Sequence, residues 1–354
     1  MTDSSPASAR SADDAASPVG FLPPSFAAAA QDDVLGPQLV EGLLAIERRL
    51  SEAVRSSDPL IEITSSHLLQ AGGKRVRPLL TLLSAQVGGG INDDVIEAAV
   101  VVELTHLASL YHDDVMDSAP VRRGVDAAHT VWGNSVAILT GDLIFARASS
   151  LVADLPGDAF KVQADAFARL VEGQLKETSG VPEGADALEH YLEVLSGKTG
   201  SLIAACGIYG IQLSGADREV RRAMEAYGEK IGVAFQLADD IIDITSPSSV
   251  TGKTTGTDLR EGVPTLPVLM LRRMAEAGDD SAVRVLELVD ADLTSDDALR
   301  AAVEAICAHE AVERSWGVAQ EWVDDALAAL APLPETPAKS ALQAFGRDMV
   351  HRRS

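Results

Sequence analysis

Most of the chain's potential for chemistry sits in two short acidic runs. The first, Asp113-Asp114-Val115-Met116-Asp117, closes a stretch that begins at Glu103 and contains His106 and His112. At 100° per residue, His106, Leu110, Asp113 and Asp117 stack on one helical stripe with Asp114 beside it. Carboxylates this close repel one another, and the neighbours Leu107, Leu110, Val115 and Met116 are apolar. A cation resolves the conflict, and oxygen-only ligands suit Mg2+ shared with a phosphate-bearing molecule. One such run alone is more often a solvated acidic turn. A second run changes the balance: in Phe235-Gln236-Leu237-Ala238-Asp239-Asp240-Ile241-Ile242-Asp243, residues Gln236, Asp239, Asp240 and Asp243 share one helical face. Leu237, Ile241, Ile242 and Ile244 are left for burial, so the two helices read as metal-bearing walls of one cavity.

Clustered cations follow the same logic. Gly72-Gly73-Lys74-Arg75-Val76-Arg77-Pro78 places three cations beside flexible backbone, ahead of a helix opened by Pro78. Lys74 as a point charge, Arg77 as a two-pronged fork and free N–H groups make an anion site. Arg122-Arg123-Gly124 puts two further guanidiniums a few residues past the first acidic run. Lys198-Thr199-Gly200 lies inside a helix expected over Leu188–Tyr209, where Gly200 invites a bend that aims Lys198 and Thr199 into a cavity. A glycine-rich loop, Gly252-Lys253-Thr254-Thr255-Gly256-Thr257-Asp258-Leu259-Arg260-Glu261-Gly262, follows the second acidic run.

Helical spacing of apolar residues must position all of these. It recurs from Val34 to the C-terminus, with Asp93 as the expected cap of the helix carrying the first motif, and no convincing alternating β pattern interrupts it. The fold class is therefore all-α. The 354 residues are 46% hydrophobic, ample for a large core, and residues 34–354 read as a single domain. Residues 1–33, rich in Ser, Ala, Asp and Pro, read as a disordered tail that lacks the features of a signal peptide. A formal charge of −24 repels nucleic acid and anionic membrane surfaces. No uninterrupted apolar run reaches the roughly 18 residues of a membrane span, so a soluble chain without a stable membrane anchor is expected. Cys206 and Cys307 fall in apolar helical contexts and read as reduced core thiols, which favours the cytoplasm.

In this order, over roughly residues 34–353, the motifs resemble the trans-isoprenyl diphosphate synthases; any one is weak, but the ordered set is highly specific. The resemblance implies the isoprenoid synthase fold, a large antiparallel helix bundle around a deep central cavity, assembled as a homodimer. It implies Mg2+-dependent condensation of isopentenyl diphosphate with allylic diphosphates. On the same resemblance, Asp113, Asp114 and Asp117 hold Mg2+ on the allylic diphosphate, and Asp239, Asp240 and Asp243 complete the cluster from the opposite wall. Arg122, Lys198 and Lys253 bind the allylic diphosphate, while Lys74, Arg75, Arg77, His106 and Arg123 bind isopentenyl diphosphate. Thr199 and Gln236 face the developing allylic cation. Glu177, with Gln174 before it, stands at a further metal-facing position, and Arg352-Arg353 represent the family's basic C-terminus, here followed by Ser354.

Product length has its own handle in the resemblance. Short-chain members carry bulky aromatics four and five positions before the first motif, where this chain has Ser109 and Ala108. Ser109 sits one turn, roughly 5.4 Å, below Asp113. A tunnel lined by small residues implies repeated condensation beyond C20, to a precursor of a quinone side chain. The runner-up is a farnesyl or geranylgeranyl diphosphate synthase of shorter product. From another class comes a non-catalytic partner subunit of a heteromeric synthase, which would be expected to lose the motifs kept here. A class I terpene cyclase needs neither GGKRVRP nor a second DDxxD. A ferritin-like protein would need two Glu-x-x-His motifs where only Glu103-x-x-His106 is present.

Overall fold

The computed structural model describes residues 22–246 and 255–351, and within them the chain is helical almost throughout. A short α1 (Ala27–Ala30) precedes α2 (Leu35–Ala53), α3 (Pro59–Gln70), α4 (Val76–Val87) and the long α5 (Asp93–Met116). After a tight hairpin come α6 (Ala128–Trp132), α7 (Asn134–Ala153), α8 (Ala159–Ser179), α9 (Ala187–Leu195), α10 (Ser201–Leu213) and α11 (Arg218–Thr245). Side chains set several starts. Asp58, Asp186 and Asp217 each accept two backbone N–H bonds at the heads of α3, α9 and α11. Asn92 caps α5 by accepting from Val95 N, which corrects the expected cap Asp93 to a first-turn acid that favours the helix dipole.

The core is built around α5 and α11. The former packs on α7 and α4; the latter packs on α10 and on α16 (Ala311–Ala329). A smaller apolar cluster joins Ile244 at the end of α11 to Leu259 in α12 (Thr257–Arg260). It continues through α13 (Leu266–Glu276), α14 (Asp280–Val289) and α15 (Asp296–Cys307). The last element, α17 (Pro337–His351), returns to the main core.

The structure corrects several expectations. Residues 22–33 belong to the fold, because Phe26 is 2% exposed and its ring centroid lies 4.9 Å from that of Phe345 in α17. Aromatic burial there outweighs the polar composition around it, while residues 1–21 lie outside the described residues. The expected glycine bend at Gly200 is a π-helical turn spanning Ser196–Gly200 between α9 and α10. A two-residue hairpin, β1 (Val121–Arg122) with β2 (Val125–Asp126), interrupts the helices, and its turn residues Arg123 and Gly124 have φ of 54° and 78°. Cys206 is buried, but Cys307 at the end of α15 is exposed.

Three helical spans, Asp93–Met116, Asn134–Ala153 and Ala187–Leu213, are long and apolar enough to cross a membrane. Scattered polar residues break up their apolar runs, which is why counting uninterrupted runs overlooks them. Burial inside the protein accounts for the first and third. Only 33% of the most apolar window of α7 is buried, and Leu139 on it is 65% exposed.

Candidate active site

The lower end of α5 faces the π turn. Burial pushes the Asp113 carboxyl up to about 6; Lys198 and Arg122 pull it back, and Asp117 and Glu177 push it further. Asp117 is raised by burial and by Glu177 and Asp114, against the pull of Lys198 and Arg122. Lys198 Nζ donates to Glu177 Oε2, and Gln174 one turn before has a buried Oε1 without a partner among the described residues. Asp114 is fully buried and accepts from Arg122 Nε at 2.6 Å, while its Oδ2 has no hydrogen-bond partner among the described residues. Carboxyls driven above their ordinary range beside an unfilled carboxylate oxygen fit a hard divalent cation. Among the described residues no three His, Cys, Asp or Glu side chains converge as a closed metal cage. Mg2+ needs none, since it keeps waters and takes phosphate oxygens from its substrate.

On α11, Asp239 and Asp243 are half-buried and Asp240 is buried. Both Asp240 oxygens are engaged: Tyr191 OH donates to Oδ2 at 2.5 Å and Gln236 Nε2 to Oδ1 at 2.8 Å. Burial pushes Asp240 up to about 7, the two donors pull it back, and Asp258 and Asp239 push it up. Because the carboxylate accepts from the amide nitrogen, Gln236 turns Oε1 toward Thr199, whose hydroxyl donates to it at 3.3 Å. Tyr191 escaped the sequence reading; its signal is a phenol two helical turns ahead of Lys198. The loop acids escaped it too. Glu261 is raised by burial, Asp258 and Asp117, and Asp258 also raises Asp240, so the charges of this loop are felt at both motifs. Gly256 N donates to the Asp243 carbonyl at 3.2 Å, and Leu259 anchors the loop helix in the smaller core. Lys253, Arg352 and Arg353 lie outside the described residues.

A basic cluster surrounds His106. Burial, then Arg77, Arg123, Arg122 and Arg75, hold its imidazole well below the ordinary range, so the ring is neutral at physiological pH. Arg77 has a buried Nε without a partner among the described residues, and burial draws its pKa down. Arg123 Nη1 donates to the Leu68 carbonyl at 2.9 Å, and its guanidinium lies over Gly73, where an added Cβ would come within 3.1 Å of Cζ. Lys74 is exposed at the rim.

Arg75 departs from the role expected of it as an isopentenyl diphosphate ligand. It is 8% exposed, with Nε donating to Glu47 Oε1 at 2.5 Å and Nη1 to Glu103 Oε1 at 2.9 Å. Its left-handed backbone, φ 49°, reverses the chain just before α4 and sends the side chain toward α2 and α5. Arg75 is thus a brace between helices. Glu103, an isolated acid in an apolar run, is the sequence signal for it. Further down α5, Ala108 and Ser109 are buried, and Ser109 Oγ donates to its own helix at the His106 carbonyl, 2.8 Å away.

With this geometry in place, relatives can be compared. Residues 58–306 match the polyprenyl synthetase family. The chain is 44% identical over 315 residues to the nonaprenyl diphosphate synthase of Mycobacterium tuberculosis, covering 89% of this chain and 93% of that one. Its fold matches the polyprenyl synthase of Caulobacter crescentus complexed with calcium and isoprenyl diphosphate, with a TM-score of 0.81 at 33% identity over 90% of this chain and 98% of that one. The geranylgeranyl pyrophosphate synthase of Corynebacterium glutamicum gives a TM-score of 0.81 at 38% identity, over 91% and 98% of the two chains. The bundle is the isoprenoid synthase fold, and the diphosphates of the family, isopentenyl and allylic, are handled with a divalent metal. Acidic walls, basic cluster, fold and relatives agree: the chain belongs to the polyprenyl synthetase family and is a prenyltransferase, a polyprenyl diphosphate synthase.

Proposed function

We propose that this enzyme is a long-chain synthase, adding successive isopentenyl units to an allylic diphosphate until an all-trans product longer than C20 is made, with Mg2+ as its metal. The observation that carries the length is the pair Ala108 and Ser109, small side chains where an aromatic ring would close the pocket. The likeness to a nonaprenyl diphosphate synthase supports it. A product of this size suits a quinone side chain, and the free thiols of Cys206 and Cys307 suit the cytoplasm.

Mg2+, when bound, neutralises the allylic diphosphate and eases its departure as pyrophosphate. Asp113, Asp117, Asp239 and Asp243 would hold it from two walls, joined by Asp114 Oδ2, unpartnered among the described residues, while Asp114 Oδ1 orients Arg122 and Asp240 orients Gln236. Lys198 leaves Glu177 to meet the departing oxygens together with Arg122. At about 4 Å and an effective dielectric near 20, each such charge pair contributes roughly 4 kcal/mol. Thr199 gives its proton to Gln236 Oε1, so its lone pairs are available to the developing allylic cation. Arg77, Arg123, Lys74 and neutral His106 hold the diphosphate of isopentenyl diphosphate, whose double bond attacks the cation. The released pyrophosphate accepts the proton lost in closing the new double bond.

We assign the apolar face shared by α7 and α8 to a homodimer interface. Leu139, Phe160 and Leu175 are each more than half exposed, and stacking of Phe145 on Phe167 at 3.9 Å ties the two helices together. A face of this kind calls for a covering partner.

Incubating the purified chain with Mg2+, labelled isopentenyl diphosphate and, separately, C5, C10, C15 and C20 primers tests the reading. A ladder ending above C20 is the expected result. Products stopping at C15 or C20 would make it a short-chain member, and no condensation would point to a partner subunit.

A further inference from the structure

The π turn that presents Lys198 and Thr199 is gripped from behind by residues to which the chemistry above gives no role. Part of the grip is steric. A Cβ on Gly173 of α8 would lie 2.8 Å from Lys198 N, one on Gly197 would lie 2.8 Å from the Arg169 carbonyl oxygen, and one on Gly232 of α11 would lie 2.8 Å from Gly200 Cα. Three backbones touch, at a separation only glycine permits.

The rest is polar and closes into a ring. Arg169 of α8 donates from Nη1 to Glu229 Oε2 at 2.8 Å, and its Nη2 reaches Glu229 Oε1 as well as Ser196 Oγ at 3.0 Å. Ser196 Oγ in turn donates to Glu229 Oε1 at 2.5 Å, and the Ser196 carbonyl accepts both the Ser201 N–H that defines the π turn and Arg169 Nη2 at 3.3 Å. One residue each from α8, α11 and the first position of the turn is thereby tied together.

Such a tie matters because consecutive residues of a regular α-helix point about 100° apart. In the widened turn Lys198 meets the Asp113–Asp117 edge while Thr199 meets Gln236 on α11. Wide turns of this kind occur mostly at functional sites. We propose that Arg169, Ser196 and Glu229 are positioning residues that hold the π turn in register, so that Lys198 reaches the allylic diphosphate while Thr199 keeps its bond to Gln236. This rests on the prenyltransferase roles given to Lys198 and Thr199. The glycine contacts hold the fold; the polar ring holds the register.

The test uses full-length Glu229→Gln and Ser196→Ala, with Ser196→Thr as the conservative rescue. Melting temperature, hydrogen exchange at the amides of residues 198–201 and steady-state kinetics in both substrates are measured. Expected are melting within a few degrees of the parent, exchange in the turn about tenfold faster, and kcat about tenfold lower. KM for the allylic primer rises while KM for isopentenyl diphosphate stays, and Ser196→Thr restores both rate and protection. Unchanged exchange in the turn, or a lower kcat that follows the folded fraction with neither KM altered, would overturn the proposal. If Glu229→Gln does not fold, Arg169→Lys, which keeps the charge and loses the fork, is judged by the same exchange criterion. An active parent with an undisturbed turn in the variants removes the ring alone. An inactive parent removes the prenyltransferase roles, and the exchange data still judge the ring.

Discussion

In the first aspartate motif the middle carboxylate, Asp114, is met by a guanidinium, whereas in the second Asp240 accepts from a phenol and an amide, neither of them charged. The spacing of the two motifs is the same, yet the consequences differ. A neutral pair of donors offsets burial only partly, and Asp240 is pushed up to about 7. Arg122 brings a full charge to Asp114 and is itself held in place by it. In both motifs the central residue braces a neighbouring group. The outer carboxylates of the first, Asp113 and Asp117, are both raised by burial and drawn down by Lys198 and Arg122.

Substitutions can break or sharpen this contrast. Asp113→Ala removes a cavity-facing carboxylate, and kcat is expected to fall by about a thousandfold, measured with saturating primer and Mg2+. Arg122→Ala strands Asp114 as a buried charge without its partner; a loss of about 2 kcal/mol of stability is expected in denaturant unfolding, together with weaker primer binding. Tyr191→Phe takes one donor from Asp240 and leaves Gln236 in place, so kcat drops about tenfold, with a stability change of about 1 kcal/mol. Were Tyr191→Phe as damaging as Asp113→Ala, the two motifs would not divide their labour in this way. Ser109→Phe touches neither motif's carboxylates: the rate of the first condensation is expected to change least, and the product to shorten, which chromatography of the chain ladder reads directly.

What the sequence discloses follows from what is local. Spacings of three, four and seven residues place Asp113 with Asp117, and Gln236 with Asp239, Asp240 and Asp243, on helical faces before any coordinates exist. The order of helices follows from such patterns. Tyr191 and Asp240 are 49 residues apart, and no local pattern joins them. The π turn is equally opaque, because it depends on Gly173 of one helix meeting Gly197 of another. Arg75 is a ligand only on the resemblance; a left-handed φ turns it to two glutamates on other helices, which no local pattern shows. Phe26 belongs to the fold through a ring contributed from the far end of the chain.

Ser109 gives its hydroxyl to the His106 carbonyl. A donor satisfied within its own helix leaves no buried O–H in want of a partner at this point. On the long-chain reading proposed above, a growing prenyl tail passing this point would meet a wall of small side chains, Ala108 and Ser109. Such a wall would act as a ruler: it would measure the room left for another unit, and elongation would end where that room does.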